Sequence, residues 1–172
     1  MKKSGFVLTI VCFLVFMGFS TMDADAQVPT NEGDITVGAG VGFGSSVGGW
    51  GGSEPGLQLN GFYTITEDIR AGAGFVYYLV DQSNFSSTEF NIDGHYLFQQ
   101  EDDMILYGIG GISIGTYSWD TGMGRVSASA TGLNLGAGVE YNVGQVLLFA
   151  EPKVTVGGFG QFNVTGGARM RF

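Results

Sequence analysis

Histidine, proline and usable cysteine are nearly missing from this chain of 172 residues, which holds one His, three Pro and one Cys. The cysteine, Cys12, sits inside an apolar run close to the N-terminus. It is preceded by Val11 where a lipoprotein site wants a small residue, and it comes too early for one. A lone cysteine excludes a disulfide framework and a thiolate metal site. The one histidine, His95, shares a parity with Asp93, but no third ligand is evident, so no metal site is expected. Charge is sparse and mostly negative, with seven basic against sixteen acidic residues. That balance disfavours nucleic acid as a partner. Beyond the N-terminal run no stretch reaches the roughly 18 consecutive apolar residues of a membrane-spanning helix. The glycine-rich stretches match neither G-x-G-x-x-G nor a P-loop and no helical pattern follows them, so no cofactor is expected.

The N-terminus carries an address. Lys2 and Lys3 precede an apolar run from Phe6 to Phe19, and Ala24-Asp25-Ala26 places small residues at the positions a signal peptidase reads. This is the layout of a secretory signal peptide, residues 1–26. The run is short for a membrane anchor. Cleavage after Ala26 would leave residues 27–172 as one domain beginning at Gln27, without cysteine and with a net charge of −9.

Glycine is abundant instead, at 31 residues, and aromatics make up 13% of the chain. Disordered glycine-rich chains have few aromatic and β-branched residues; here glycine alternates with Val, Ile, Ala and Phe. The period is two nearly throughout, in eight runs: 34–45, 56–66, 69–80, 87–98, 104–117, 126–141, 146–156 and 162–172. Each is long enough to cross a bilayer as a tilted strand, which takes about 9–11 residues. Short connections at 67–68, 99–103 and 142–145 alternate with longer ones at 46–55, 81–86 and 118–125, and the link at 157–161 is of middling length. Short turns on one side and longer loops on the other are the pattern of a bacterial outer-membrane barrel.

Where the charges fall decides which face meets lipid. One parity of each run is uncharged, as in Leu57, Leu59, Gly61, Tyr63 and Ile65, or Leu133, Leu135, Ala137, Val139 and Tyr141. The other parity holds Arg70, Glu89, Asp93, His95, Glu140, Glu151, Lys153, Arg169 and Arg171. A charge facing lipid at mid-membrane costs about 2–4 kcal/mol, which explains the sorting. A soluble ligand-binding barrel shows the reverse. The fold class expected is therefore all-β, an eight-stranded antiparallel up-and-down transmembrane β-barrel. The fifth run is ambiguous: Ile105, Tyr107 and Ile109 share one parity and Ile112 and Ile114 the other, and a bulge near Gly110-Gly111 would reconcile them. Aromatics suggest two girdles, with Tyr63, Tyr96, Phe98, Tyr107, Tyr141 and Phe172 at the periplasmic rim and Phe43, Tyr77, Phe90 and Phe162 at the outer rim.

In mature length and in these runs, residues 34–172 resemble the small OmpA/OmpX-type outer-membrane barrels. The final "FNVTGGARMRF", alternating and ending in Met170-Arg171-Phe172, is similar to the signal such barrels present to the outer-membrane assembly machinery. The resemblance implies outer-membrane lipid and that machinery as partners, and the outer membrane as location. The chain ends at Phe172, where full-length OmpA proteins continue into a peptidoglycan-binding domain, so a wall-anchoring role is not expected.

The interior charges are balanced, and Arg70, Glu140, Arg169 and Arg171 should gather in the periplasmic half, with Glu151 and Lys153 higher. A salt-bridge network plugging the lumen is expected, because unpaired charges there are costly. One enzyme motif occurs: Gly111-Ile112-Ser113-Ile114-Gly115 matches G-x-S-x-G. It lies inside a strand run, without the strand-to-helix turn of a nucleophile elbow. Pairing the fourth and fifth runs sets Ser113 opposite about Glu89, roughly 20 Å from His95 at strand rise, so no catalytic residue is assigned. Trp50 and Trp119 fall in outer loops, where they pack the loops or touch a partner or lipopolysaccharide, and any extracellular ligand is unidentified. Function stays open between a structural or surface-interaction barrel and a narrow porin-like channel, with an outer-membrane lipid hydrolase as a remote third.

Overall fold

The computed structural model describes residues 30–45, 47, 53–81, 84–101, 103–158 and 160–172. The expected signal peptide and Trp50 lie outside them. Eight antiparallel strands close into one barrel in chain order. They are β1 (Ile35–Ser45), β2 (Ser53–Thr66), β3 (Ile69–Tyr78), β4 (Phe85–Glu101), β5 (Met104–Asp120), β6 (Arg125–Asn142), β7 (Val146–Val156) and β8 (Gln161–Arg171). The seam is made by β1 and β8, in register from Thr36↔Arg171 to Gly44↔Asn163.

The period-two pattern becomes an inside and an outside. Val37, Val41, Leu59, Phe75, Ile92, Leu133, Leu135, Val154 and Val164 are exposed around the belt, while every ionisable strand residue named above points inward. Val146 departs from the pattern and is buried at the start of β7; nothing in the local packing explains it. Tyr63, Tyr96, Phe98, Tyr141 and Phe172 ring the end that carries the tight turns, and Phe43, Tyr77, Phe90 and Phe162 ring the other. An arginine in place of Leu135, which is paired with Gly110 and Val154, should therefore cost about 2–4 kcal/mol. Urea titration in lipid vesicles measures it, and a neutral result would mean that this face does not meet hydrocarbon.

Three expectations are corrected. No bulge occurs at Gly110-Gly111, where β5 stays in register with both neighbours. The irregularity lies on β4, between Leu97 and Gln99. Strand β5 alternates without a break, so Ile105, Tyr107 and Ile109 face inward, and Tyr107 is fully buried rather than part of the periplasmic girdle. With Leu97 they form an apolar cluster in the lumen. Lipid rewards an apolar exterior, but a narrow lumen filled by side chains accepts apolar groups too, so hydrophobicity alone does not assign the face. Trp119 is not in a loop; it lies on β5 and packs on Phe85 with ring centroids 5.4 Å apart.

Strands β4, β5 and β6 run past the rest of the barrel at the outer end. Pairing of β5 with β6 continues to Asp120↔Arg125, and β4 with β5 to Phe85↔Trp119. Pairing of β6 with β7 begins only at Leu133↔Val156. The result is a three-stranded ribbon standing above one side of the outer mouth. At the opposite end, Thr30 is buried and bonds to Gln100 through both its N–H and its hydroxyl, so the segment before β1 lies along the tight-turn ends of β2 and β4.

Candidate functional site: the filled lumen

The lumen is occupied in tiers. The half nearer the tight turns holds a charged network centred on Glu140. Arg70 donates from Nη1 and Nη2 to the two oxygens of Glu140, at 2.9 and 2.8 Å, in the fork geometry that only a guanidinium provides. Arg169 donates to the same carboxylate, to Glu151 and to the Tyr107 hydroxyl, and from Nε to Asn60 Oδ1. Tyr107 in turn donates to Glu151 at 2.7 Å. Arg70, Arg169 and Glu140 are 0% exposed.

Aromatic rings sandwich these guanidinium groups. Arg169 lies 3.9 Å from the Phe149 centroid and 4.9 Å from that of Phe62. Arg70 lies 4.7 Å from Tyr107 and 5.2 Å from Phe62. A ring face attracts a cation and excludes water from it. His95 stacks on Tyr107, and its Nδ1 accepts a hydrogen bond from Arg70 Nε. A ring nitrogen that accepts is unprotonated, so His95 is neutral with its proton on Nε2. Glycines on the walls make room for this bulk. A Cβ on Gly138 would overlap the Tyr107 ring, and one on Gly38 would overlap Arg169 Cγ.

A second tier lies further out. Lys153 pairs with Asp93 at 3.1 Å, and Asn134 donates to Asp93 and Asn91 while accepting from Thr155. Glu89 comes next. It accepts from Tyr78 and Gln161, both neutral, and makes no ion pair among the described residues. Beyond it Val47, Val76, Tyr78 and Tyr117 form a buried apolar cluster, with Val80, Phe85 and Trp119 packed against it.

The structure brings Arg70, His95, Glu140, Glu151 and Arg169 into one constellation. Asp93 and Lys153 form a separate pair, Glu89 stands apart from both, and Arg171 sits at the rim on the tight-turn side, 3.8 Å from Asp34. Sequence reasoning missed Asn60, Phe62, Tyr107 and Phe149, which complete the constellation. Their inward parity was the available signal for Asn60, Phe62 and Phe149; for Tyr107 it was misleading. Phe172 is exposed and exchanges backbone hydrogen bonds with Ile35, while Met170 is half-buried on β8.

Ser113 lies mid-strand on β5 and is buried. It faces Asn91, not Glu89, because β4 runs on to Glu101 and the turn is tighter than expected; His95 faces Ile109. The strand continues without a turn on either side of Ser113, so no nucleophile elbow exists there. Among the described residues no group of three or more His, Cys, Asp or Glu is placed to hold a metal.

No protein-family profile matches the chain, and no curated protein matches it in sequence. Solved structures do match in shape. Ail, the attachment invasion locus protein of Yersinia pestis, is 18% identical with a TM-score of 0.61, over 82% of this chain and 99% of that one. The N-terminal β-barrel domain of OprF from Pseudomonas aeruginosa is 15% identical with a TM-score of 0.64, over 83% and 98%. Neisserial surface protein A, NspA, is 20% identical with a TM-score of 0.63, over 80% and 94%. At such identities the likeness is one of fold: the chain has the fold of the small eight-stranded outer-membrane barrels.

Proposed function

We propose that the protein is a closed barrel of the outer membrane that conducts no solute and acts at the cell surface through its β4–β6 ribbon. The observation that carries this reading is the complete burial of Arg70, Glu140 and Arg169 across the bore. Guanidinium groups held by carboxylates and covered by rings fill the bore with side chains and narrow any path for ions past them. The apolar cluster of Leu97, Ile105, Tyr107 and Ile109 and the outer cluster around Tyr78 and Tyr117 add to the seal.

The ribbon supports the second half of the proposal. Its outward face carries Ser86, Thr88, Thr116, Ser118, Ser127 and Ser129, with Thr116–Ser129 and Ser118–Ser127 joined by hydroxyl bonds of 3.0 and 2.8 Å. Such a face suits hydroxyl-rich or peptide ligands. Ail was also solved with the heparin analogue sucrose octasulfate. That ligand chemistry is not carried over, because the ribbon offers only Arg125 among basic residues and the chain is acidic overall.

In the same reading residues 1–26 direct export and are removed, residues 27–172 form the barrel, and Met170 and Phe172 present the terminal strand to the assembly machinery. Recording from planar bilayers tests the closed lumen. No steady conductance is expected from the folded protein. A stable open state at low voltage would overturn the closed reading and favour a narrow channel.

A further inference from the structure

Among the described residues, and with the rim pair of Arg171 and Asp34 balancing itself, the buried interior is one positive charge short. Its basic side chains are Arg70, Lys153 and Arg169 and its acidic ones Glu89, Asp93, Glu140 and Glu151, three against four. Neutral His95 does not alter that count. Three of the carboxylates are ion-paired: Glu140 and Glu151 with arginine, and Asp93 with Lys153. Glu89 is the remaining one. It is 4% exposed, and its partners, Tyr78 and Gln161, carry no charge. Both of those hydrogen bonds end on Oε2, and Oε1 is buried with no hydrogen-bond partner. Gln161, 6% exposed, spends its amide N–H groups on Tyr78 and Glu89, and its own Oε1 is likewise buried without a partner.

These two residues line one small cavity, about 20 Å³ in volume, together with Ser113, Tyr117 and Thr155. That is room for about one water-sized occupant. Every polar side-chain group on the wall is built on oxygen or an amide. Lys153, on the inward face below Thr155, is engaged by Asp93. A buried carboxylate without a counter-charge is costly, and so are two unpaired acceptors beside it.

We propose that this cavity binds one small monovalent cation, sodium, with Glu89 Oε1 and Gln161 Oε1 as its principal ligands and the hydroxyls of Ser113 and Thr155 within its shell. Oxygen donors are those a hard cation takes. A single positive charge brings the buried interior to neutrality. A divalent ion would overshoot it, and sites for such ions usually recruit more than one carboxylate.

The test uses the folded protein in detergent micelles. Its thermal unfolding midpoint is compared in sodium chloride and in N-methylglucamine chloride at equal ionic strength, the bulky organic cation being too large for the cavity. A ligand that binds only the folded state raises the midpoint with its concentration. The expected result is a higher midpoint in sodium that saturates as sodium is raised, and that Glu89→Gln abolishes. Equal midpoints in the two salts overturn the proposal and leave a water in the cavity. A sodium effect that persists in Glu89→Gln overturns the location. A larger Glu89-dependent rise with micromolar calcium overturns the monovalent assignment. Sodium-23 line broadening on the unmodified protein probes the same site without a variant: saturable broadening is expected, and its absence sinks the site.

Discussion

Glu140→Ala is expected to destabilise the barrel by about 3–5 kcal/mol, the usual cost of removing one partner from a buried ion pair. The effect is large because one carboxylate serves two guanidinium groups, both fully buried. Arg169 would keep Glu151 and Asn60. Among the described residues Arg70 would keep only the neutral His95 as a side-chain hydrogen-bond partner, so it becomes the uncompensated charge. Removing it as well should relieve the strain. The double variant Arg70→Met with Glu140→Leu is expected to be more stable than Glu140→Ala alone, since replacing a buried pair by apolar groups is often neutral or favourable. Urea unfolding in lipid vesicles measures all of these. A loss under about 1 kcal/mol for Glu140→Ala would place the pair among solvent-screened ones and argue for a hydrated bore.

Gly167→Val is expected to open or severely weaken the seam between β1 and β8. Gly167 faces inward opposite Gly40. A Cβ there would overlap the Ala39 carbonyl oxygen and lie 2.5 Å from Gly40 Cα and 2.7 Å from the Phe149 ring. Two of those atoms belong to the backbone of the partner strand and cannot yield without breaking the ladder that closes the barrel. Overpacking usually costs about 1–3 kcal/mol, and this site, with backbone on one side and the ring that covers Arg169 on the other, should lie at the top of that range or fail to fold. Gly166→Ala is the control. It points to lipid, and its nearest contact is a carbonyl oxygen at 3.5 Å. The fraction of each variant migrating as folded barrel in unheated gels separates the two. Equal yields for both would mean that the seam has room that its geometry does not show.

The strands and their sidedness were legible because the membrane imposes them. Lipid admits no charge at low cost on one face and leaves the other to the lumen, so Arg70, Glu89, Glu140 and Arg169 could be assigned inward from parity alone. Tyr107 shows the limit of that rule. Apolar and aromatic residues are tolerated on both faces of a narrow barrel, and only the pairing of β5 with β4 and β6 turns Ile105, Tyr107 and Ile109 into the bore. Partnerships were less legible still. Parity places Glu89 among the interior carboxylates but does not say which cations they meet. That depends on stagger, and the irregularity between Leu97 and Gln99 with the tight turn after Glu101 alters the stagger between β4 and β5.

The local pattern of the chain is thus enough for the number of strands, the side on which each charge lies and the alternation of short and long connections. Each follows from a period of two and from the cost of charge in hydrocarbon. It took the closed barrel to make Glu140 hold two arginines, to sheath them with rings from β2, β5 and β7, to raise β4 to β6 as a ribbon, and to leave Glu89 facing a cavity without a counter-charge among the described residues. Those outcomes depend on the register in which distant strands meet around a closed ring, and no residue's neighbours along the chain contain that information.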